Sequence, residues 1–278
     1  MICKRKQIDQ NKITLTYFIS AIIISAIIAN SIIILSDSLN KRSSTILILN
    51  ITAAIASSLG MIAVYRHGLH GIHGKSYLFL TLGLICWLSA DLSLAYYYFA
   101  LSIEEQILVS VTDVLWFAGY AFLALHLFTV LSYICSKINL STVIIASIAT
   151  LLFITYNVFY LISYSSQFLV VGDIDAFVVT IAYPILDLIL IVPSVLVLVN
   201  LRKDYLQFIP WFLSSLSLLV NSIADDGYMN DFVNGRLQNL SFWDMFYVTD
   251  FIIIAGALFW YNRFHISYKQ RRMKVTSS

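Results

Sequence analysis

What constrains this chain most is the recurrence of apolar stretches long enough to cross a bilayer. Predominantly apolar runs fall at about 13–36, 44–65, 77–100, 106–133, 139–163, 176–200, 207–228 and 243–262. Each is near the roughly 20 residues that a membrane-spanning helix needs. Apolar side chains make up 60% of the 278 residues and charged ones 12%, against about 25% charged in a typical soluble domain. A water-soluble core does not account for that balance. Strands are excluded, because lipid offers no partner to the backbone at an open sheet edge and the runs lack the alternation of a membrane barrel. The sequence therefore predicts an all-α, polytopic membrane bundle of eight helices, with residues 1–278 as one domain.

Lys4, Arg5 and Lys6 precede the first run as in a signal peptide. The run is too long for an h-region and no small-x-small site follows it, so it is expected to stay as the first span. With eight spans both termini share a side. Of the 17 Lys and Arg, only Lys41, Arg42 and Arg236 fall on the other side, leaving fourteen with the termini. The positive-inside rule then puts both termini in the cytoplasm and the protein in the cell membrane. The net charge of +2 resides in those inner loops and suits anionic headgroups of membrane lipid, not nucleic acid. Cys3, Cys86 and Cys135 sit within spans or at their inner ends, where free thiols are expected.

Two segments resemble each other. "SVTDVLW" (110–116) opens the fourth span and "SFWDMFY" (241–247) the eighth, and each follows a span bearing an Ala-Asp pair, Ala90-Asp91 or Ala224-Asp225. This predicts a four-plus-four parallel repeat with halves 13–133 and 139–262, its third, fourth, seventh and eighth spans lining one centre.

The acidic residues carry the functional argument. At 1.5 Å rise per residue, Asp91 lies roughly 14 Å below the outer surface, Asp113 and Asp250 roughly 10 Å, and Asp187 near the midplane. Asp225, Asp226 and Asp244 are expected nearer the outer rim, where capping a helix end is the simpler explanation for them. No Lys or Arg within the spans is available as a partner. An ionised carboxylate at the centre of a span costs several kcal/mol on the most lenient scale. A hydrated cavity, protonation or a bound cation would compensate, and all three imply a polar pocket open to the outside.

Asp113, Trp116 and Tyr120 are three and four residues apart and share a helix face. With Asp187, Asp244 and Tyr247 they form a candidate binding surface for a lipid or cationic ligand, the rings offering cation–π contacts to a quaternary ammonium. Pro184 and Pro193 interrupt the sixth span on either side of Asp187. "YRHGLHGIHGKSY" (65–77) spaces His67, His70 and His73 evenly, but three glycines among them predict a flexible interfacial loop, not a metal site. No metal and no cofactor is expected. His126 lies inside the fourth span, 13 residues from Asp113, roughly 20 Å along the helix and on another face.

The third and fourth spans, with Asp91 after a small residue and then "FAGYAFLALHLFTVLSY" (117–133), resemble the lysoplasmalogenase family of integral membrane proteins. Phe122 and His126 match its Phe-x-x-x-His run, and Asp225 in "SIADDGYMNDF" (222–232) matches its second buried Asp. Ala90, Ala224 and Thr129 depart from the family's Gly, Ser and Tyr. The resemblance implies hydrolysis of the vinyl-ether bond of a lysoplasmalogen, with Asp91 as general acid, Asp225 as general base and His126 positioning them. A second resemblance rests on "W-x-x-x-D" (87–91) and "D-x-x-W-x-x-x-Y" (113–120). It is to multi-span sensor domains of signalling proteins, and it implies a cytoplasmic or membrane partner protein bound by the tail "YNRFHISYKQRRMK" (261–274). A carrier of cations or protons is the third reading. Asn239 begins an N-x-S sequon.

Overall fold

A computed structural model describes residues 2–37, 40–102, 110–134, 174–200, 205–233 and 240–265, with helical residues scattered between 140 and 159. Nearly half of the fifth predicted span, Cys135, Arg236, Asn239 and the tail beyond His265 lie outside the described residues, and residues 2–13, 134, 174–181, 200, 205–208, 232–233, 240–241 and 265 are described in backbone alone. The described elements are helical without a strand: α1 (Ile2–Leu35), α2 (Lys41–His67), α3 (Gly71–Ala100), α4 (Val111–Ile134), α5 (Ile174–Asn200), α6 (Tyr205–Val233) and α7 (Leu240–Trp260), which continues as a π-helical turn over Tyr261–His265.

Six of these helices are long and apolar enough to cross a membrane. The exception is α6, where Asn221, Asp225, Asp226 and Asp231 interrupt the apolar run. The protein is a multi-span helical membrane protein.

Neighbouring contacts close a ring, α2–α3–α4–α5–α6–α7 and back to α2, while α1 packs outside it against α7 and, more lightly, α2. Ile23, Ile24, Ile27 and Ile28 of α1 are all exposed, as suits a face turned to lipid. Phe18 and Ile22 meet the ring where Gly256 leaves room for them.

Small residues bring the ring helices together. Ala53, Ala56, Ser57, Gly60 and Ala63 form the buried stripe of α2, the spacing that lets membrane helices approach closely. A Cβ on Gly60 would fall 2.7 Å from Thr81 Oγ1, and Ser57 Oγ donates to Leu84 O at 3.1 Å. Between α3 and α4 a Cβ on Gly83 would lie 3.2 Å from Gly119 O, and one on Gly119 would overlap the Trp87 indole.

The histidine-rich segment is not the flexible loop expected. Helix α2 runs through His67 and α3 starts at Gly71, so only residues 68–70 turn. Gly68 and Gly71 adopt φ of +78° and +73°, and a Cβ on Gly74 would fall 2.5 Å from Gly68 O. The glycines thus serve a tight reversal, which only residues without a side chain permit. His67 Nδ1 meets Tyr261 OH at 2.9 Å, and the His73 ring stacks on Trp211 at 5.0 Å.

Candidate functional site

Carboxylates of α5 and α6 meet in one layer of the ring, with one from α3 and one from α7 close by. Tyr120 of α4, 3% exposed, stands at its centre. Its hydroxyl lies 3.0 Å from Asp187 Oδ1 of α5 and hydrogen-bonds Asp225 Oδ2 of α6. Asn221, one turn before Asp225 on the same helix face, donates to Oδ2 at 2.9 Å, and Tyr247 of α7 donates to Oδ1 at 2.5 Å.

Counting protons restricts the states of this group. Three donors, Tyr120, Tyr247 and Asn221, converge on Asp225. A phenol has one proton, so Tyr120 cannot donate to both carboxylates at once. The trio is satisfied when Tyr120 donates to Asp225 and accepts from a protonated Asp187. Among the described residues Asp187 Oδ2 and Asp91 Oδ2 are buried without a hydrogen-bond partner, whereas most buried polar atoms in proteins have one.

Asp91 of α3 occupies the same layer with Trp116 as its hydrogen-bond donor. Trp116 is fixed in turn, its carbonyl accepting from Trp87 Nε1 at 3.3 Å. Asp91 and Asp225 share no hydrogen bond. Asp250 of α7, bonded by Ser217, stands within electrostatic range of both. Asp113 begins α4 as a capping box: Ser110 N donates to its carboxylate at 2.8 Å and Thr112 N donates to Ser110 Oγ at 3.2 Å. Tyr183 OH also donates to Asp113 at 2.9 Å, and the Tyr183 ring meets that of Tyr120 edge-on at 6.2 Å. Asp244, in the first turns of α7, is under the electrostatic influence of Arg42 and Lys41 at the start of α2.

Two expectations are corrected. Asp225 is not at the outer rim capping a helix, since α6 continues eight residues beyond it to Val233, roughly 12 Å of helix. His126 is not beside the carboxylates. It lies six residues past Tyr120, roughly 9 Å deeper and turned to another face, with its Nδ1 2.9 Å from both Ser76 O and Ser76 Oγ.

Tyr183, Asn221 and Ser217 were missed among the candidate residues, and Asp250 was placed by depth alone. Spacing held a signal for two of them, because Tyr183–Asp187 and Asn221–Asp225 are both four residues apart on one face. Nothing in spacing reveals that Ser217 meets a carboxylate of another helix. Cys86 is a free thiol. No cluster of three or more His, Cys, Asp or Glu suited to a metal occurs among the described residues.

Comparison with known proteins returns no match, whether by family model, curated sequence or solved structure.

Proposed function

We propose that this protein is an intramembrane acid/base hydrolase acting on the vinyl-ether bond of a lysophospholipid, as the lysoplasmalogenase-like sequence features imply. The observation that carries the reading is the Asp187–Tyr120–Asp225 chain, two carboxyl groups in unequal surroundings joined by one hydroxyl. Unequal carboxyl pairs supply an acid and a base at the same pH.

In this reading Asp187 takes the part of general acid first given to Asp91. Asp187 protonates the vinylic carbon away from the ether oxygen, leaving an oxocarbenium-like centre. Asp225 takes a proton from the water that adds to that centre, and the hemiacetal collapses to a free aldehyde and the glycerophospho alcohol. Tyr120 returns the proton from Asp225 to Asp187, so one water is consumed and the site resets. Asp91 and Trp116 line the approach, with Asp113, Asp244 and Tyr247 around it.

The reading takes the chain to span the membrane eight times, adding α6 and the segment at 139–163 to the six apolar helices. Both termini face the cytoplasm and the carboxylate layer opens outward from the cell membrane, supported by the fourteen-to-three division of Lys and Arg. The four-plus-four repeat belongs to the same reading, although Ser110-x-x-Asp113 also has a local purpose as a helix cap.

A second reading, a proton carrier, draws on Asp91, Asp187, Asp225 and Asp250 being buried, with no Lys or Arg bonded to them among the described residues. The experiment is aldehyde release from a vinyl-ether lysophospholipid by purified protein in detergent, with the acyl analogue alongside. The expected result is turnover by the parent, lowered about 10²-fold or more in Asp187→Asn and Asp225→Asn, the usual range for removing an acid or base. Folded, monodisperse protein that turns over neither lipid sinks the hydrolase, and proton flux in liposomes then tests the carrier.

A further inference from the structure

The carboxylate layer is not the only polar level in the ring. At the end marked by Arg66, Lys75 and the 68–70 turn, four buried polar atoms have no partner among the described residues: His126 Nε2, Ser194 Oγ, Ser215 Oγ and Trp211 Nε1. Their residues are 0% or 1% exposed and belong to α4, α5 and α6. Along their helices they lie deeper than the carboxylate trio, His126 by roughly 9 Å from Tyr120, Ser194 by roughly 10 Å from Asp187 and Ser215 by roughly 15 Å from Asp225.

The histidine fixes what such a level can hold. Ser76 O, 2.9 Å from Nδ1, accepts only, which assigns the proton to Nδ1 with Ser76 Oγ, also at 2.9 Å, as a second acceptor. In the neutral ring Nε2 is then an unprotonated lone pair, fully buried. An acceptor in that position is satisfied by a donor that the described side chains do not supply. Two serine hydroxyls and an indole N–H at the same end add donors and acceptors, as an internal water needs.

Between the two levels every ring helix but α2 places a large apolar side chain: Leu84, Leu123, Leu190, Leu218 and Ile254, all 0% exposed. None offers water a hydrogen bond, and an apolar space of this kind stays dry.

We infer that the bundle holds a second polar chamber, built around His126 and occupied by water, and that a dry layer of five aliphatic side chains, with Ser217 and Asp250 bonded to each other beside it, separates it from the carboxylate site. The chamber does not depend on the hydrolase reading. It bears on the carrier, because the five aliphatic side chains leave the Ser217–Asp250 pair as the polar contact a proton would have to use between the two levels.

Radiolytic hydroxyl-radical footprinting of the unmodified protein in detergent tests this, since radicals form from water and mark the side chains touching it. Rates are normalised to the unfolded chain. His126 and Trp211 are expected to be modified despite their burial, as is Trp116 in the carboxylate layer, while Leu123 and Ile254 are spared. Protection of His126 and Trp211 equal to that of Leu123 overturns the chamber, and modification running through Leu123 and Ile254 overturns the dry layer. Nitrogen NMR of the His126 ring gives an independent reading: a hydrogen-bonded Nε2 supports water there, and a bare lone pair contradicts it.

Discussion

The two polar levels of this bundle are satisfied in opposite ways. In the carboxylate layer acid faces acid, and neutral donors from three helices have to stabilise them: Trp116, Tyr120, Tyr247 and Asn221. Around His126 the buried groups are neutral in their resting forms, and the ring is held by a single residue, Ser76. A neutral ring in apolar surroundings needs a hydrogen bond; several carboxyl groups together need protons to be shared. The His126 level can be explained by packing and water alone, whereas the carboxylate layer, on the proposed reading, stores a displaceable proton, and that is where chemistry is to be sought.

Substitutions can break or sharpen this contrast. The largest effect is expected from Tyr120→Phe, which removes the hydroxyl between Asp187 and Asp225 and leaves two acids without their common partner. Hydrogen bonds to charged groups are worth about 1.5–3 kcal/mol, and thermal unfolding in detergent should show a loss of that order together with reduced turnover. Equal stability of parent and variant would mean that the two acids do not share Tyr120.

His126→Asn addresses the other level. It gives up the Ser76 bond and part of a buried ring, so a stability loss of about 1–3 kcal/mol is expected from packing and hydrogen bonding. Because His126 faces away from the trio, kcat on the vinyl-ether substrate should be unchanged. A fall in kcat with KM and fold intact would return His126 to the chemistry. The smallest change is predicted for Asp113→Ala, which dismantles the capping box of α4 at a cost of about 1 kcal/mol and frees Tyr183; a midpoint of unfolding equal to that of the parent would count against the cap.

These contrasts also show what was legible in the sequence. The helical class and the membrane setting follow from run length alone, because lipid leaves the backbone no alternative. The common face of Asp113, Trp116 and Tyr120 was readable from three- and four-residue spacing, yet those side chains part company, Asp113 to Tyr183, Trp116 to Asp91 and Tyr120 to Asp187 and Asp225. Spacing fixes the direction a residue takes from its own helix, but which neighbour it meets depends on the order of helices around the ring. That order brings Asp225 to Asp187 instead of Asp91. The depth of Asp225 was misjudged because the polar end of α6 reads as loop, although Asn221 and Asp225, four residues apart, share one face of the helix. In the histidine segment glycine was read as freedom, whereas Gly68, Gly71 and Gly74 allow a close reversal.

The claim on which the account rests is that Asp187 and Asp225 share one proton, with Asp187 holding it. Infrared spectroscopy of the purified protein in H₂O and D₂O measures this directly, because a protonated carboxyl has a carbonyl stretch apart from that of a carboxylate. The account predicts a buried, deuterium-sensitive carboxyl band that disappears in Asp187→Asn and persists in Asp225→Asn. A band that survives in Asp187→Asn unchanged, or vanishes only in Asp225→Asn, would contradict it.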